Sequence, residues 1–194
     1  MQAGLQTFQT EFAPSNAQTI RNTPLQPQYR YLLLESGGQE ALVVWIGDEP
    51  HPLGKASVWT SADGVIIRTV NGQLAGVTEP QRSWQLQAQR PLTTAPQATN
   101  TPSTAPTELE LTVDIQPGHK LGLRQRTLQH PLPANTHPLP WSTVSTPVQW
   151  VAQTDVHTGQ TLALYGMNTQ GQTLAGERCM TPQWCVRWQT WPNP

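Results

Sequence analysis

Charge is scarce in this sequence. Only 12% of its 194 residues are Asp, Glu, Lys or Arg, against a usual share of about 25%. The formal net charge of −1 provides no long-range field to gather nucleic acid or an anionic membrane surface. Long apolar runs are missing too: no window approaches the roughly 20 residues that a membrane-spanning helix needs. The first residues, MQAGLQTFQTEF, have neither the basic region nor the apolar core of an export signal. The chain therefore reads either as cytosolic or as the remainder of an exported protein whose signal has been removed. The two cysteines and five histidines supply no ligand spacing for zinc. No nucleophile elbow, phosphate-binding glycine loop or HExxH segment is present. Nothing calls for a cofactor.

What is present replaces charge with Gln, Thr, Ser and Asn, a profile more familiar in exported proteins. The 19 Pro and 14 Gly argue against long helices. Eight Trp stand against two Phe, and Trp suits strand positions where the ring packs and the indole N–H reaches a partner. Cys179 and Cys185 lie six apart in CMTPQWC, with Pro182 bending the chain between them. An even count at close range fits a local disulfide in an oxidising compartment, and so favours the exported reading. Two free thiols are the alternative.

Residues 1–28 form a Gln- and Thr-rich extension in which Leu5, Phe8 and Phe12 have helical spacing. From residue 29 to 79 the pattern changes to short aromatic and aliphatic runs broken by Gly-Gly, Asp-Gly and Asn-Gly. Those dipeptides allow the positive φ of tight hairpin turns, so the block is a β-meander. Expected strands cover 29–35, 40–46, 56–61, 65–70 and 73–79, with a possible one at 83–87 and a loop over 47–55. In the second strand Ala41, Val43 and Trp45 alternate with Leu42, Val44 and Ile46, which predicts cover on both faces. Residues 91–106, PLTTAPQATNTPSTAP, are a low-complexity connection inside one all-β domain spanning 29–194.

After it, Leu109, Leu111, Val113 and Ile115 alternate with Glu108, Glu110, Thr112 and Asp114. Matching apolar to apolar across a loop at Pro117-Gly118-His119 sets Ile115 against Leu121, Val113 against Leu123 and Glu110 against Arg126. A last meander covers 148–155, 160–168, 172–178 and 186–191, with a cysteine loop before its final strand. The fold class expected is all-β: antiparallel meanders forming a partly open barrel or sandwich, with at most one or two short helices.

The residues able to carry chemistry are few. His51, His119, His130, His137 and His157 each sit beside turn-forming residues and read as exposed turn positions. Asp48-Glu49 reads as a solvated loop tip and Asp63 as a turn residue. Exposed Trp rings can stack on the apolar faces of sugars. Trp45 is assigned to the core, and Trp59 and Trp84 are the candidates for a glycan platform. The alternative is that these rings fill the core or cover a sheet edge.

The stretch YRYLLLESGGQEALVVW, followed by VWTSADGVIIRTVNGQLAGVTE, resembles the YjbF/GfcB family of capsule and exopolysaccharide lipoproteins. The shared elements are Ala41-Leu42-Val43, Trp59-Thr60-Ser61-Ala62-Asp63-Gly64, and Asn71-Gly72 running to Leu74-Ala75-Gly76-Val77-Thr78. The likeness covers about fifty residues. The resemblance implies an all-β barrel or sandwich held in the periplasm at the outer membrane, attached through a lipid anchor that this chain does not contain. It also implies no enzymatic activity, an accessory role in capsule or exopolysaccharide export, and a polysaccharide or export-machinery proteins as partners. A carbohydrate-binding module without a secretion role, and a glycan hydrolase, are the competing classes.

Overall fold

The computed structural model describes residues 20–92, 106–133, 136–144 and 147–192. The short helix expected over about Gly4–Phe12 and most of the low-complexity connection lie outside them. Twelve strands follow one another: β1 Tyr31–Ser36, β2 Gln39–His51, β3 Gly54–Thr60, β4 Ile66–Val70, β5 Gln73–Glu79, β6 Arg82–Pro91, β7 Thr107–Gln116, β8 Lys120–Pro131, β9 Gln149–Asp155, β10 Thr161–Met167, β11 Thr173–Thr181 and β12 Trp184–Trp191. Each is antiparallel to its sequence neighbours, and β1 pairs with β12, so the sheet closes into an up-and-down barrel. The all-β expectation holds, and the barrel is closed rather than partly open. β6 and β7 are paired neighbours, so the low-complexity connection joins adjacent strands of one sheet.

Alternation decides what the interior holds. Leu32, Leu34, Val43, Ile67, Val77, Trp84, Leu111, Val113, Tyr165, Val186 and Trp188 form the main core. The opposite residues of β1 and β2 would face water in a simple barrel. Instead Leu33, Leu42 and Val44 are covered from outside by Ile20, Leu25, Tyr29 and Trp141. The segment after β8 does the same for the outer face of β9–β11, where Leu139, Trp150 and Ala175 pack together. The both-faces-apolar reading of β2 is therefore correct up to Val44. Beyond it, Ile46 is 61% exposed. Trp45 is half-buried rather than core, with the Arg30 guanidinium 5.0 Å from its ring centroid.

Glu40 ties both covering segments to the sheet. Its carboxylate accepts from Arg21 at 2.6 and 3.0 Å and from the Trp141 indole N–H at 2.7 Å. Burial raises the pKa of Glu40, but the Arg21 and Trp141 hydrogen bonds and the Arg21 charge outweigh it, and the net shift is downward. Backbone N–H bonds from Thr158 and His157 lower Asp155 as well. Carboxyl groups lowered on folding add stability that is present above their unfolded value of about 4 and lost as pH falls through their folded values. The melting temperature should therefore fall steadily below about pH 4. Glu40→Gln should remove part of that acid dependence and cost about 1–2 kcal/mol at neutral pH. An unchanged melting profile from pH 7 to about pH 3 would show that this clamp does not hold the covers.

Several expected elements shift. The loop expected at 47–55 is mostly strand: β2 runs on through a bulge at Ile46–Gly47 and pairs with β3 as far as His51–Gly54. β1 stops opposite Val44, so this part of β2 is an edge, where Pro50 is tolerated. Asp48 and Glu49 are accordingly ladder residues rather than a loop tip. Asp48 accepts from Lys55, Ser57 and Trp45, which hold its pKa down to about 2. In the β7–β8 hairpin Val113 faces Leu123 and Glu110 faces Arg126 as expected, but a bulge sets Ile115 against Lys120. Arg126 reaches diagonally to Glu108 instead, and Glu110 pairs with Arg90 directly opposite it on β6. Cys179 and Cys185 are bonded, with Cα atoms 3.9 Å apart. They face each other across β11 and β12, so the expected cysteine loop is a tight hairpin turning at Pro182-Gln183.

Candidate functional site at the barrel mouth

An up-and-down barrel gathers alternate turns at one end. Here the turns after β1, β3, β5, β7, β9 and β11 share one rim. A cavity of about 500 Å³ opens there, lined among others by Leu34, Ser36, Ser61, Asp63, Glu79 and Arg82. The Trp59–Gly64 element of the family resemblance supplies part of its wall.

Local chemistry shapes each wall. Ser61 closes the β3–β4 turn: its hydroxyl bonds the Asp63 carboxylate and accepts the Val65 N–H at 3.0 Å. Asp63 thus has the turn role expected of it. At the β1–β2 turn Gly37 and Gly38 both have positive φ, and the Gly38 N–H donates to Glu35 at 2.7 Å. On the outer face beside it, Arg187 bridges Glu35 and Glu177. Glu79 is the hub inside the mouth. It accepts from Ser36 and from the Trp184 indole N–H, each at 3.2 Å, and from Arg82 Nε. The Arg82 guanidinium lies 4.5 Å from the Trp184 ring centroid. The Glu79 oxygens are therefore engaged, and the terminal Arg82 nitrogens remain as donors at the entrance. Such a mouth offers hydroxyl, carboxylate and guanidinium groups above an apolar floor, the groups that bind a hydroxyl-rich ligand.

The two Trp expected as a glycan platform are elsewhere. Trp59 is 5% and Trp84 1% exposed, so both rings are turned into the barrel. Trp59 donates its indole N–H to Thr69 at 3.0 Å. Trp84 carries the Arg178 guanidinium 4.6 Å from its centroid. Arg178 is itself 2% exposed, donates to Gln153 at 2.8 Å and Tyr165 at 2.9 Å, and its Nε has no partner among the described residues. The reason for the correction is parity: both Trp share the inward face with Ile67, Val77 and Leu111. Sequence alternation separates two faces without saying which is inside.

Nothing in the local sequence marks Ser36, Glu79, Arg82 or Arg178 as site residues. They are ordinary strand or turn residues there, and only closure brings β1, β5, β6, β11 and β12 to common points. Of the histidines, His51 is half-buried at the end of β2 and accepts the Leu53 N–H at 3.2 Å. Burial lowers its pKa. His137 packs edge-on against Trp150. Among the described residues no group of three His, Cys, Asp or Glu could hold a metal ion, and no helix is long and apolar enough to cross a membrane.

No family model and no curated protein matches the sequence. The barrel is similar to the crystal structure of the hypothetical lipoprotein YmcC from Escherichia coli K12. The likeness covers 99% of this chain and 95% of that one, with a TM-score of 0.60 at 16% identity, and it shows a shared fold.

Proposed function

We propose that this chain is the barrel of a non-enzymatic cell-envelope lipoprotein, held in the periplasm at the outer membrane, that assists export or assembly of a capsule or exopolysaccharide. The observation that carries this reading is the end-to-end fold likeness to a hypothetical lipoprotein. It agrees with the motif resemblance over residues 29–79, and the Cys179–Cys185 disulfide suits an oxidising compartment. The work done is binding, and the mouth is where a glycan segment would be held. The Arg82 terminal nitrogens and the Ser61 and Asp63 oxygens would meet its hydroxyls.

Titration of the purified chain with purified exopolysaccharide, following Trp fluorescence and reducing-end release together, tests this. Fluorescence should change because Trp184 lies under Arg82 at the mouth, and no reducing ends should appear. Arg82→Ala should weaken the response roughly tenfold, the loss of one charged hydrogen bond. Reducing ends that rise with protein concentration would overturn the non-enzymatic reading. Deleting the gene in its own host should lower surface polysaccharide while synthesis continues. Unchanged surface polysaccharide would overturn the export role.

A further inference from the structure

The barrel wall has a gap beside the mouth cavity. β3 ends at Thr60, opposite Val44, and the chain turns through residues 61–65 into β4. Residues 39–43 of β2 are paired with β1 on one side and, among the described residues, with no strand on the other. One bond gives the direction of their backbone groups: the Trp45 N–H donates to the Arg30 carbonyl at 3.0 Å, toward β1. Alternation turns Ala41 and Val43 the same way, and Glu40 and Leu42 into the gap. The Gly37-Gly38 turn sets the same phase, since a two-residue turn is closed by a bonded pair, here Ser36 and Gln39. Glu40 and Leu42 have outer-face side chains, yet they line the cavity together with the inward Leu34. Their backbone accounts for it.

Each of these two residues presents an N–H and a C=O, and the two sets lie about 7 Å apart along the strand. No described strand or loop takes these four groups. The walls around them are acidic. Glu40 is paired with Arg21 and Glu79 with Arg82, while Asp63 has no ion-pair partner among the described residues. The cavity lining therefore keeps one uncompensated carboxylate.

We propose that the Glu40–Leu42 edge is a backbone binding strip for uncharged, hydroxyl-bearing sugars, which enter through the gap in the barrel wall. This rests on the glycan reading of the mouth and names the sugar class it takes. A hydroxyl donates and accepts at once, so neighbouring sugar hydroxyls match alternating N–H and C=O groups. A carboxylate only accepts. It would leave both carbonyls unpaired and would face Asp63. A peptide strand is the other natural occupant of a sheet edge. Here only two residues point into the gap and β3 occupies the edge from Val44 onward, whereas strands usually run for about five or six residues. The cavity of about 500 Å³ falls within the range of small-ligand sites, about 300–1,000 Å³.

The test uses the whole chain and short fragments of the purified exopolysaccharide in two forms. In one every carboxylate is reduced to the alcohol; in the other the primary hydroxyls are oxidised to carboxylates. The reduced form should bind about tenfold more tightly or better. Asp63→Asn keeps an oxygen for the turn and should narrow that ratio by about threefold or more. Amide hydrogen exchange reads the strip itself. In the free protein the Glu40 and Leu42 amides should exchange faster than those of Ala41 and Val43, and the reduced fragments should slow both by about tenfold. Equal or tighter binding of the oxidised form, or a ratio that Asp63→Asn does not move, would overturn the proposal. So would Glu40 and Leu42 amides already as protected as their neighbours, or protection brought by an alternating Val/Thr peptide in place of the fragments. A fluorescence response to the polymer without protection at Glu40 and Leu42 rejects this strip and leaves the glycan reading standing. No response to the polymer or to its fragments rejects both.

Discussion

Trp84→Ala should destabilise the whole barrel rather than merely abolish a contact with ligand. The ring is 1% exposed inside the barrel and carries the Arg178 guanidinium on its face. Truncating so large a buried side chain costs about 3–5 kcal/mol. That is a large share of the roughly 5–15 kcal/mol that holds a domain folded. It also leaves a buried cation whose described partners, Gln153 and Tyr165, are both neutral. At this chain length the melting temperature should drop by about 10 °C or more. Trp84→Phe keeps most of the buried area and a face for Arg178, and should recover about half of the loss. A glycan platform would behave oppositely, with an unchanged melting temperature and lost binding. Urea and thermal unfolding of both variants decide it, and a shift of less than about 2 °C for Trp84→Ala would reject the buried assignment.

Gly72→Ala should be the most damaging single-methyl change among the described glycines. Asn71 and Gly72 form the β4–β5 turn with φ of 50° and 78°, the positive pair that a two-residue hairpin turn needs. The tip does not stand in solvent. It folds against the start of β11, where the Asn71 carbonyl accepts the Thr173 N–H at 3.1 Å and the Gly72 carbonyl accepts the Trp188 indole N–H at 2.8 Å. A Cβ on Gly72 would lie 2.0 Å from the Thr173 carbonyl oxygen. Relief requires the tip to withdraw, which strands two buried donors. The expected loss is about 3 kcal/mol or more. Gly171→Ala is the control: its φ is 76°, yet nothing lies within 4 Å of the added carbon, so only the backbone penalty of about 1 kcal/mol applies. Equal destabilisation of the two variants would show that the Gly72 contact does not seal this end of the barrel.

Much of this architecture is legible residue by residue. Alternation of Leu109, Leu111 and Val113 with Glu108, Glu110 and Thr112 announces β7, and all three apolar residues are buried. Asn71-Gly72 marks its hairpin, and the strand expected after it at 73–79 is β5 as found. The disulfide is legible because a six-residue separation with a turn between leaves a cross-strand pair within reach. The candidate site is less so. Ser61 and Asp63 belong to a recognisable turn, whereas Glu79, Arg82 and Trp184 meet only because β5, β6 and β12 end on the same rim.

Local sequence is enough to specify an antiparallel β protein, the place of most of its hairpin turns, and which side chains share a face along most strands. These follow from φ preferences and a two-residue side-chain period, both of which act over a few neighbouring residues. Long-range packing sets the rest: β1 meets β12 to close the barrel, Trp59 and Trp84 face inward, and Leu33 and Leu42 are covered from outside. It also decided that Leu121 and Leu123 lie beyond the last paired residue of β9. Those outcomes depend on which distant strands and segments pack together. A local period separates inside from outside only once closure has defined an interior.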